Sequence, residues 1–232
     1  MRRYALEHTM QTRDLGGYPT KNPALPMTMY QRVLRSDAPY KLSEENLSFL
    51  RGITPLVIDL RSELEYLQRP TAFEACPDFT VLHLTVEGGM DLPESEDMMP
   101  AYMMGMVEAG SLPGIFAALA QAESGVLIHC AAGKDRTGIV SALLLELAGV
   151  ADADIIADYQ VSSSYISSYL KSALPGSCQK PQLEIPTKPE FMEKFLELFR
   201  RSYGSAEAYL LESGLSAEGI EALRRKLLSA SG

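Results

Sequence analysis

One cysteine and one arginine stand six residues apart in a short segment that suits a phosphate ion. The segment runs from Val126 to Gly138 and places small residues between Cys130 and Arg136. A thiolate at Cys130 can attack phosphorus and form a phosphocysteine intermediate. The guanidinium of Arg136 can donate two hydrogen bonds to the phosphate oxygens on which negative charge must be stabilised. These residue types and their spacing predict transfer of a phosphoryl group to cysteine.

The elements on either side of this segment favour the same chemistry. Val126 to Ile128 is an apolar run that predicts a buried strand, and Thr137 to Leu147 has the pattern of a mostly buried helix. The turn between them directs backbone N–H groups and the positive end of the helix into one concavity, which also favours a thiolate. The residues expected to bind phosphate are Ala131, Ala132, Gly133, Lys134, Asp135, Arg136 and Thr137. The Thr137 hydroxyl is further expected to donate to the sulfur when it leaves.

Segments spread over nearly the whole chain resemble one family. His129, Cys130, five intervening residues, Arg136 and Thr137 look like the signature loop of the protein tyrosine phosphatase superfamily, in particular of its atypical bacterial branch of tyrosine and lipid phosphatases. Other segments that look like this branch are Arg13 to Tyr18, Arg35-Ser36, Ile58 to Ser62 with Glu65, Ala206 to Leu210, and Gly214 to Ser216. The resemblance implies a cysteine-dependent phosphatase with Cys130 as nucleophile and Arg136 as the phosphate clamp.

Other interpretations of the loop fit less well. A nucleotide-binding P-loop requires glycine where Ile128 stands and a hydroxyl residue where Asp135 stands. A zinc site requires several Cys or His residues at ligand spacing, whereas Cys76, Cys130 and Cys178 are far apart. Most lone cysteines are small buried apolar residues, but here an arginine and glycines accompany the thiol. We predict neither a metal nor another cofactor.

Composition limits the class of protein. With 232 residues and 46% hydrophobic content, the chain can bury a full core, and no linker or repeat divides it, so residues 1–232 are predicted to form one domain. A net charge of -9 argues against nucleic-acid partners and against adsorption to anionic membranes. Three cysteines fit a reducing compartment, and no apolar leader or membrane-spanning run follows Met1. We expect a cytoplasmic protein, unless a secretion signal has been removed, and the oligomeric state is left open.

Strands alternate with helices along the first two thirds of the chain. The predicted strands are Tyr30 to Arg35, Leu56 to Leu60, Val81 to Leu84, and Val126 to Ile128. A capping box at Ser62 and Glu65 and a proline at 113 start two of the helices, and the last third is predicted to be helical over residues 154–170, 189–203, 206–213 and 217–228. This predicts an α/β fold with a mostly parallel sheet, helices on both faces and a helical C-terminal third. Ligands bind at the carboxyl ends of such strands, where Cys130 and Asp59 stand.

The proton donor for the leaving group has three candidates. Many tyrosine phosphatases carry this aspartate beside a tryptophan, but the chain contains no tryptophan. Asp135 ranks first because it lies in the phosphate loop, where substrate charge favours a protonated carboxyl; its alternative role is a structural ion pair. Asp59 ranks second, with an orienting role beside Arg61 as its alternative. Asp91 ranks third, because it stands where a mobile acid loop would be expected in chain order.

Lys134 bears on the substrate. It either adds positive charge at the rim of the pocket, as inositol-lipid phosphatases often do, or is a solvated lysine that neutralises Asp135. Phosphotyrosine in proteins is therefore the first expected substrate, with phosphoserine, phosphothreonine and phosphoinositides beside it. A module that binds phosphorylated partners without turnover is the main alternative. Arsenate reduction or sulfur transfer would require a resolving cysteine, and no second cysteine stands at redox spacing.

A methionine-rich segment follows the third expected strand after a short loop. Six of the eleven methionines lie between Met90 and Met106. One interpretation is a lid or insertion over residues 88–110, since methionine adapts to irregular surfaces. The other interpretation, which we favour slightly, is an ordinary surface helix with a methionine-rich buried face, because the acidic residues of the segment would repel substrate.

Overall fold

The strands form one mixed sheet. The computed structural model describes residues 2–88, 93–173 and 186–228, and within them five strands pair in the order β1-β2-β5-β3-β4. The strands are β1 Arg13–Asp14, β2 Val33–Ser36, β3 Leu56–Asp59, β4 Thr80–His83 and β5 Val126–His129. Strand β1 is antiparallel to β2, and the other three pairs are parallel. The predicted α/β class with a mostly parallel sheet is confirmed.

At the start of the chain one predicted strand was wrong at its first residue and one strand was missed. The strand expected from Tyr30 begins only at Val33, because Tyr30 to Arg32 form a turn in which Gln31 has a φ of 63°. Strand β1 was not predicted, since two residues are too short for a periodic pattern to show. The remaining three strands agree with their predicted bounds to within one residue at each end.

The helices are α1 Glu44–Ile53, α2 Glu63–Gln68, α3 Met99–Glu108, α4 Leu112–Gln121, α5 Asp135–Leu147, α6 Asp152–Ala173, α7 Pro189–Tyr203, α8 Ala206–Glu212 and α9 Ala217–Leu228, with a 3-10 turn at Glu96–Met98. The capping box of α2 is confirmed: the Ser62 side chain accepts from Glu65 N, and the Glu65 carboxylate accepts from Ser62 N. The helical last third is confirmed as well.

Helices cover both faces of the sheet, as predicted. Alternate residues of a strand face opposite sides. Val33, Ile58, Val126 and Ile128 therefore pack with residues from α3 to α9 in the larger apolar cluster. Their neighbours Leu34, Val57 and Leu127 pack with Leu47 and Leu50 of α1 in a smaller cluster. The C-terminal helices thus extend the larger core and hold α5 against the sheet.

Helix α3 buries four of the six methionines that the sequence singled out, whereas Met98, in the 3-10 turn before it, is exposed. Met99, Met103, Met104 and Met106 are all buried in the larger cluster, which favours an ordinary packed helix. A lid over 88–110 stays a prediction, and the candidate acid Asp91 lies outside the described residues. Within the described ranges no single helix has the length and apolar composition to span a membrane. Residues 96–108 and 112–121 have that length and composition only when taken together, and they are bent by 66° relative to each other.

Candidate active site

Cys130 directly follows the carboxyl end of the central strand β5. Residues 130–134 connect this strand to α5, and Cys130 is 3% exposed. Parallel pairing places Ser36 of β2 and Asp59 of β3 on either side of His129. The structure therefore brings Cys130, Arg136 and both described candidate acids to one edge of the sheet.

The carbonyl groups of the loop are braced by hydrogen bonds from side chains and backbone of other segments. Ala131 O accepts from Ala38 N at 3.2 Å, and Ala132 O accepts from Gln11 Nε2. Arg35 Nη2 donates to Gly133 O at 2.7 Å and to Lys134 O at 3.3 Å. In a trans peptide the N–H points opposite to the preceding carbonyl. The N–H groups of residues 132–135 consequently point away from this bracing, where an anion can accept from them.

Gly133 permits the close approach of the loop to β2. Its φ is +66°, which residues with a Cβ rarely adopt. A Cβ at this position would lie 2.5 Å from Ser36 O and 2.6 Å from Asp37 N, both of them backbone atoms. The glycine is therefore required by both its conformation and its packing.

Arg136 is aimed by a carboxylate on α2. Its Nη1 donates to Glu65 Oε2 at 2.6 Å and its Nη2 to Glu65 Oε1 at 3.0 Å. Burial raises the pKa of Glu65, but Arg136 and the Ser62 cap outweigh that effect and lower the pKa to about 2. Glu65 is thus ionised at neutral pH and fixes the guanidinium in the first turn of α5.

Asp135 has partners on both of its oxygens. Oδ1 accepts from the Tyr159 hydroxyl at 2.8 Å, and Oδ2 lies 3.4 Å from Lys134 Nζ. The Lys134 side chain is only 2% exposed, so it pairs with Asp135 but is not the solvated lysine of the sequence-based alternative. Among the described residues the buried Thr137 Oγ1 has no hydrogen-bond partner, so it does not donate to the Cys130 sulfur in this structure.

Asp59 is held in a buried ion pair with Arg61. Arg61 Nε lies 3.0 and 2.9 Å from the two carboxylate oxygens, and both side chains are fully buried. Burial raises the pKa of Asp59, but His129 and Arg61 outweigh it and hold the pKa below its usual range. Arg61 also donates to Arg69 O at 2.6 Å, at the end of α2. This geometry favours the orienting role that the sequence left open rather than proton donation.

A second buried ion network, which was not predicted from the sequence, lies behind the loop. Asp158 on α6 accepts from Arg13 Nε at 2.9 Å and from Arg35 Nη1, so the three charged side chains form one buried network. The sequence did hold a sign of this network, because Asp158 shares the apolar face of its helix with Ile155 and Ile166, and a charge on such a face requires a buried partner.

One family profile and several known proteins resemble this chain. The profile of a tyrosine phosphatase family matches residues 4–229. A tyrosine-protein phosphatase of Nostoc commune is 31% identical over 192 residues, which cover 74% of this chain and 65% of that relative. A Cupriavidus necator protein, provisionally named a tyrosine-protein phosphatase, is 28% identical over 90% of this chain and 83% of its own. The triple specificity protein phosphatase PtpB of Mycobacterium tuberculosis is 31% identical over 44% of each chain. Since the profile matches the chain almost from end to end, the chain belongs to the tyrosine phosphatase family.

Proposed function

We propose that this protein is a phosphatase that hydrolyses phosphate monoesters through a phosphocysteine at Cys130. The observation that carries the proposal is the loop itself, whose braced carbonyls turn its N–H groups toward one side at the N-terminus of α5. Arg136, aimed by Glu65, adds a guanidinium beside it. Family membership supports the same reaction.

In the first step the phosphate of the substrate binds to the loop N–H groups and Arg136. The Cys130 thiolate attacks phosphorus, the P–O ester bond breaks, and the leaving oxygen takes its electron pair and a proton. Asp135 is the proposed donor of that proton, because it directly follows the loop as the first residue of α5 and its side chain is still 13% exposed. Asp59 has no exposed surface, so it remains the second candidate for the proton donor.

In the second step water attacks the phosphocysteine. Asp135, now ionised, accepts a proton from the water, the P–S bond breaks, and inorganic phosphate is released. The sulfur leaves as a thiolate. The buried Thr137 hydroxyl, unpartnered within the described part of the chain, is available to donate to that sulfur.

Phosphotyrosine in proteins is the substrate class that we propose first. Lys134 is buried and paired with Asp135 rather than placed as a free cation at the rim of the pocket, so its position does not by itself favour an inositol lipid. The similarity to a phosphatase named for triple specificity keeps phosphoserine, phosphothreonine and phosphoinositides as the second candidates. A panel of these substrates on the purified protein, with Lys134→Ala beside wild type, decides between them.

Para-nitrophenyl phosphate hydrolysis by wild type and Cys130→Ser tests the enzyme proposal. We expect release of phosphate by wild type and none by the variant, with phosphopeptide binding retained in the variant. Binding without release by wild type would instead favour a phosphate-recognition module. Asp135→Asn should lower turnover more for poor leaving groups than for good ones, whereas an equal loss on both would remove Asp135 from the donor role.

A further inference from the structure

Two adjacent residues of α6, Asp158 and Tyr159, contact different groups that border the phosphate loop. Both are nine-tenths or more buried, and neither belongs to the loop. Successive helical residues are turned by about 100°, so neighbours on one helix address different parts of what lies against it. Here Asp158 faces the charged side chains beneath the loop, and Tyr159 faces the first turn of α5.

Asp158 acts on the loop through Arg35. Its Oδ2 accepts from Arg35 Nη1, while Arg35 Nη2 donates to Gly133 O at 2.7 Å and Lys134 O at 3.3 Å. The other oxygen, Oδ1, accepts from Arg13 Nε and the Tyr18 hydroxyl, both at 2.9 Å. With both of its oxygens engaged, the carboxylate fixes the position of the Arg35 guanidinium. That guanidinium in turn fixes the two carbonyls whose peptide N–H groups, those of residues 134 and 135, point the opposite way.

Tyr159 acts on Asp135. Its hydroxyl donates to Asp135 Oδ1 at 2.8 Å. Its ring packs against Gly138, where an added Cβ would lie 3.0 Å from Tyr159 Cδ2. The ring is therefore held close to α5, and the hydroxyl has one fixed acceptor. Lys134 Nζ, 3.4 Å from Oδ2, restrains the same carboxylate from its other side.

We propose that Asp158 and Tyr159 are positioning residues for the two halves of the reaction: Asp158, through Arg35, for phosphate binding, and Tyr159, through Asp135, for proton donation. The inference rests on the proposed function, because it assigns support to the groups proposed there. The two parts of the proposal, its first arm for Asp158 and its second arm for Tyr159, predict changes in different measurements. Loss of the Arg35 contact weakens phosphate binding, and loss of the Tyr159 hydroxyl changes how turnover depends on the leaving group.

Tyr159→Phe tests the second arm by removing one oxygen atom. We expect its turnover of phenyl phosphate to fall about tenfold further than its turnover of para-nitrophenyl phosphate, because only the poorer leaving group depends strongly on a well-placed donor. Tyr209→Phe is the matched control, since it removes a buried hydroxyl that donates to Val107 O at 3.2 Å, outside the site. Equal losses on the two substrates for Tyr159→Phe, or a ratio matching that of Tyr209→Phe, would overturn this arm.

Arg35→Lys tests the first arm in a Cys130→Ser background, by calorimetric titration with inorganic phosphate. Lysine keeps the charge near Asp158 but cannot also bind the two carbonyls, so we expect phosphate affinity to fall about tenfold or more. Arg200→Lys is the control, because Arg200 is paired with Glu146 and Asp152 away from the loop. If Arg35→Lys does not fold, Asp158→Glu, which shifts the same ion pair by one methylene, replaces it.

The outcomes separate this inference from the proposed function. An active wild type together with phosphate affinity in Arg35→Lys equal to that in Arg200→Lys would overturn the first arm and leave the phosphatase proposal intact. An inactive wild type would overturn both.

Discussion

Glu65→Gln is the sharpest perturbation of the proposed site, because it alters one contact of Arg136 and little else. Both Glu65 oxygens accept from Arg136, and Oε2 also accepts from Ser62 N at 3.0 Å. A glutamine oxygen in the place of Oε2 keeps the helix cap and one Arg136 bond. Its amide nitrogen then faces Arg136 Nη2, so two donors confront each other.

The magnitude follows from the loss of one bond between charged groups. Such a bond contributes about 1.5–3 kcal/mol when it is buried. The Glu65 side chain is 25% exposed, so we take the lower end of that range. At about 1.4 kcal/mol for each factor of ten, kcat/KM should fall roughly 10- to 30-fold. Because Glu65 titrates near pH 2, the ratio of wild type to variant should be constant between about pH 5 and pH 8.

The assay is steady-state hydrolysis of para-nitrophenyl phosphate, with Tm measured for each protein. Glu63→Gln is the control: it removes the same charge from the exposed side of α2, on a residue in the same turn. We expect the control to remain within about twofold of wild type. A folded Glu65→Gln with the activity of Glu63→Gln would refute the claim that Glu65 aims Arg136.

Two further predictions concern the loop and its support. Gly133→Ala should lose far more stability and phosphate affinity than the control Gly110→Ala. Both glycines have a positive φ (66° and 80°), but of the two only Gly133 would bring its added Cβ against backbone atoms. Equal losses of Tm in the two variants would contradict the packing argument. Burial raises the pKa of Asp37 from its usual 3.8 to about 6, so the folded state binds this proton more tightly and stability falls as pH rises from about 4 to about 6. Asp37→Asn should therefore gain stability relative to wild type over that window, by up to about 3 kcal/mol in urea unfolding. Asp78→Asn, at an exposed surface pair, is the control, and a pH-independent difference for Asp37→Asn would contradict the assignment.

The sequence was most informative where structure is local. The apolar strand, the small residues and the following helix stand next to one another in the chain, so the position of Cys130 at a strand end could be read directly. The capping box at Ser62 could also be predicted from the sequence, because its two partners are three residues apart. The strand start at Tyr30 was wrong because a left-handed residue, Gln31, interrupts a run that looks extended.

The contacts that hold the site in place could not be predicted from the sequence, because they join distant parts of the chain. Arg35 and Asp158 are 123 positions apart, and Gln11 and Ala132 are 121 apart. Glu65 was recognised as a helix cap, but its ion pair with Arg136 spans 71 positions. Periodicity reports which face of an element is buried, not what that face meets. An aspartate on an apolar helix face shows that a partner exists without identifying it.

The most direct measurement of the central claim is to locate the phosphoryl group during turnover. Wild type is mixed with para-nitrophenyl phosphate, quenched within a single turnover, digested and examined by mass spectrometry. We predict one phosphoryl group on Cys130, a higher yield of it in Asp135→Asn because the second step is slowed, and none in Cys130→Ser. Phosphate release by Cys130→Ser at the wild-type rate, or a phosphoryl group on any other residue, would contradict the proposed mechanism.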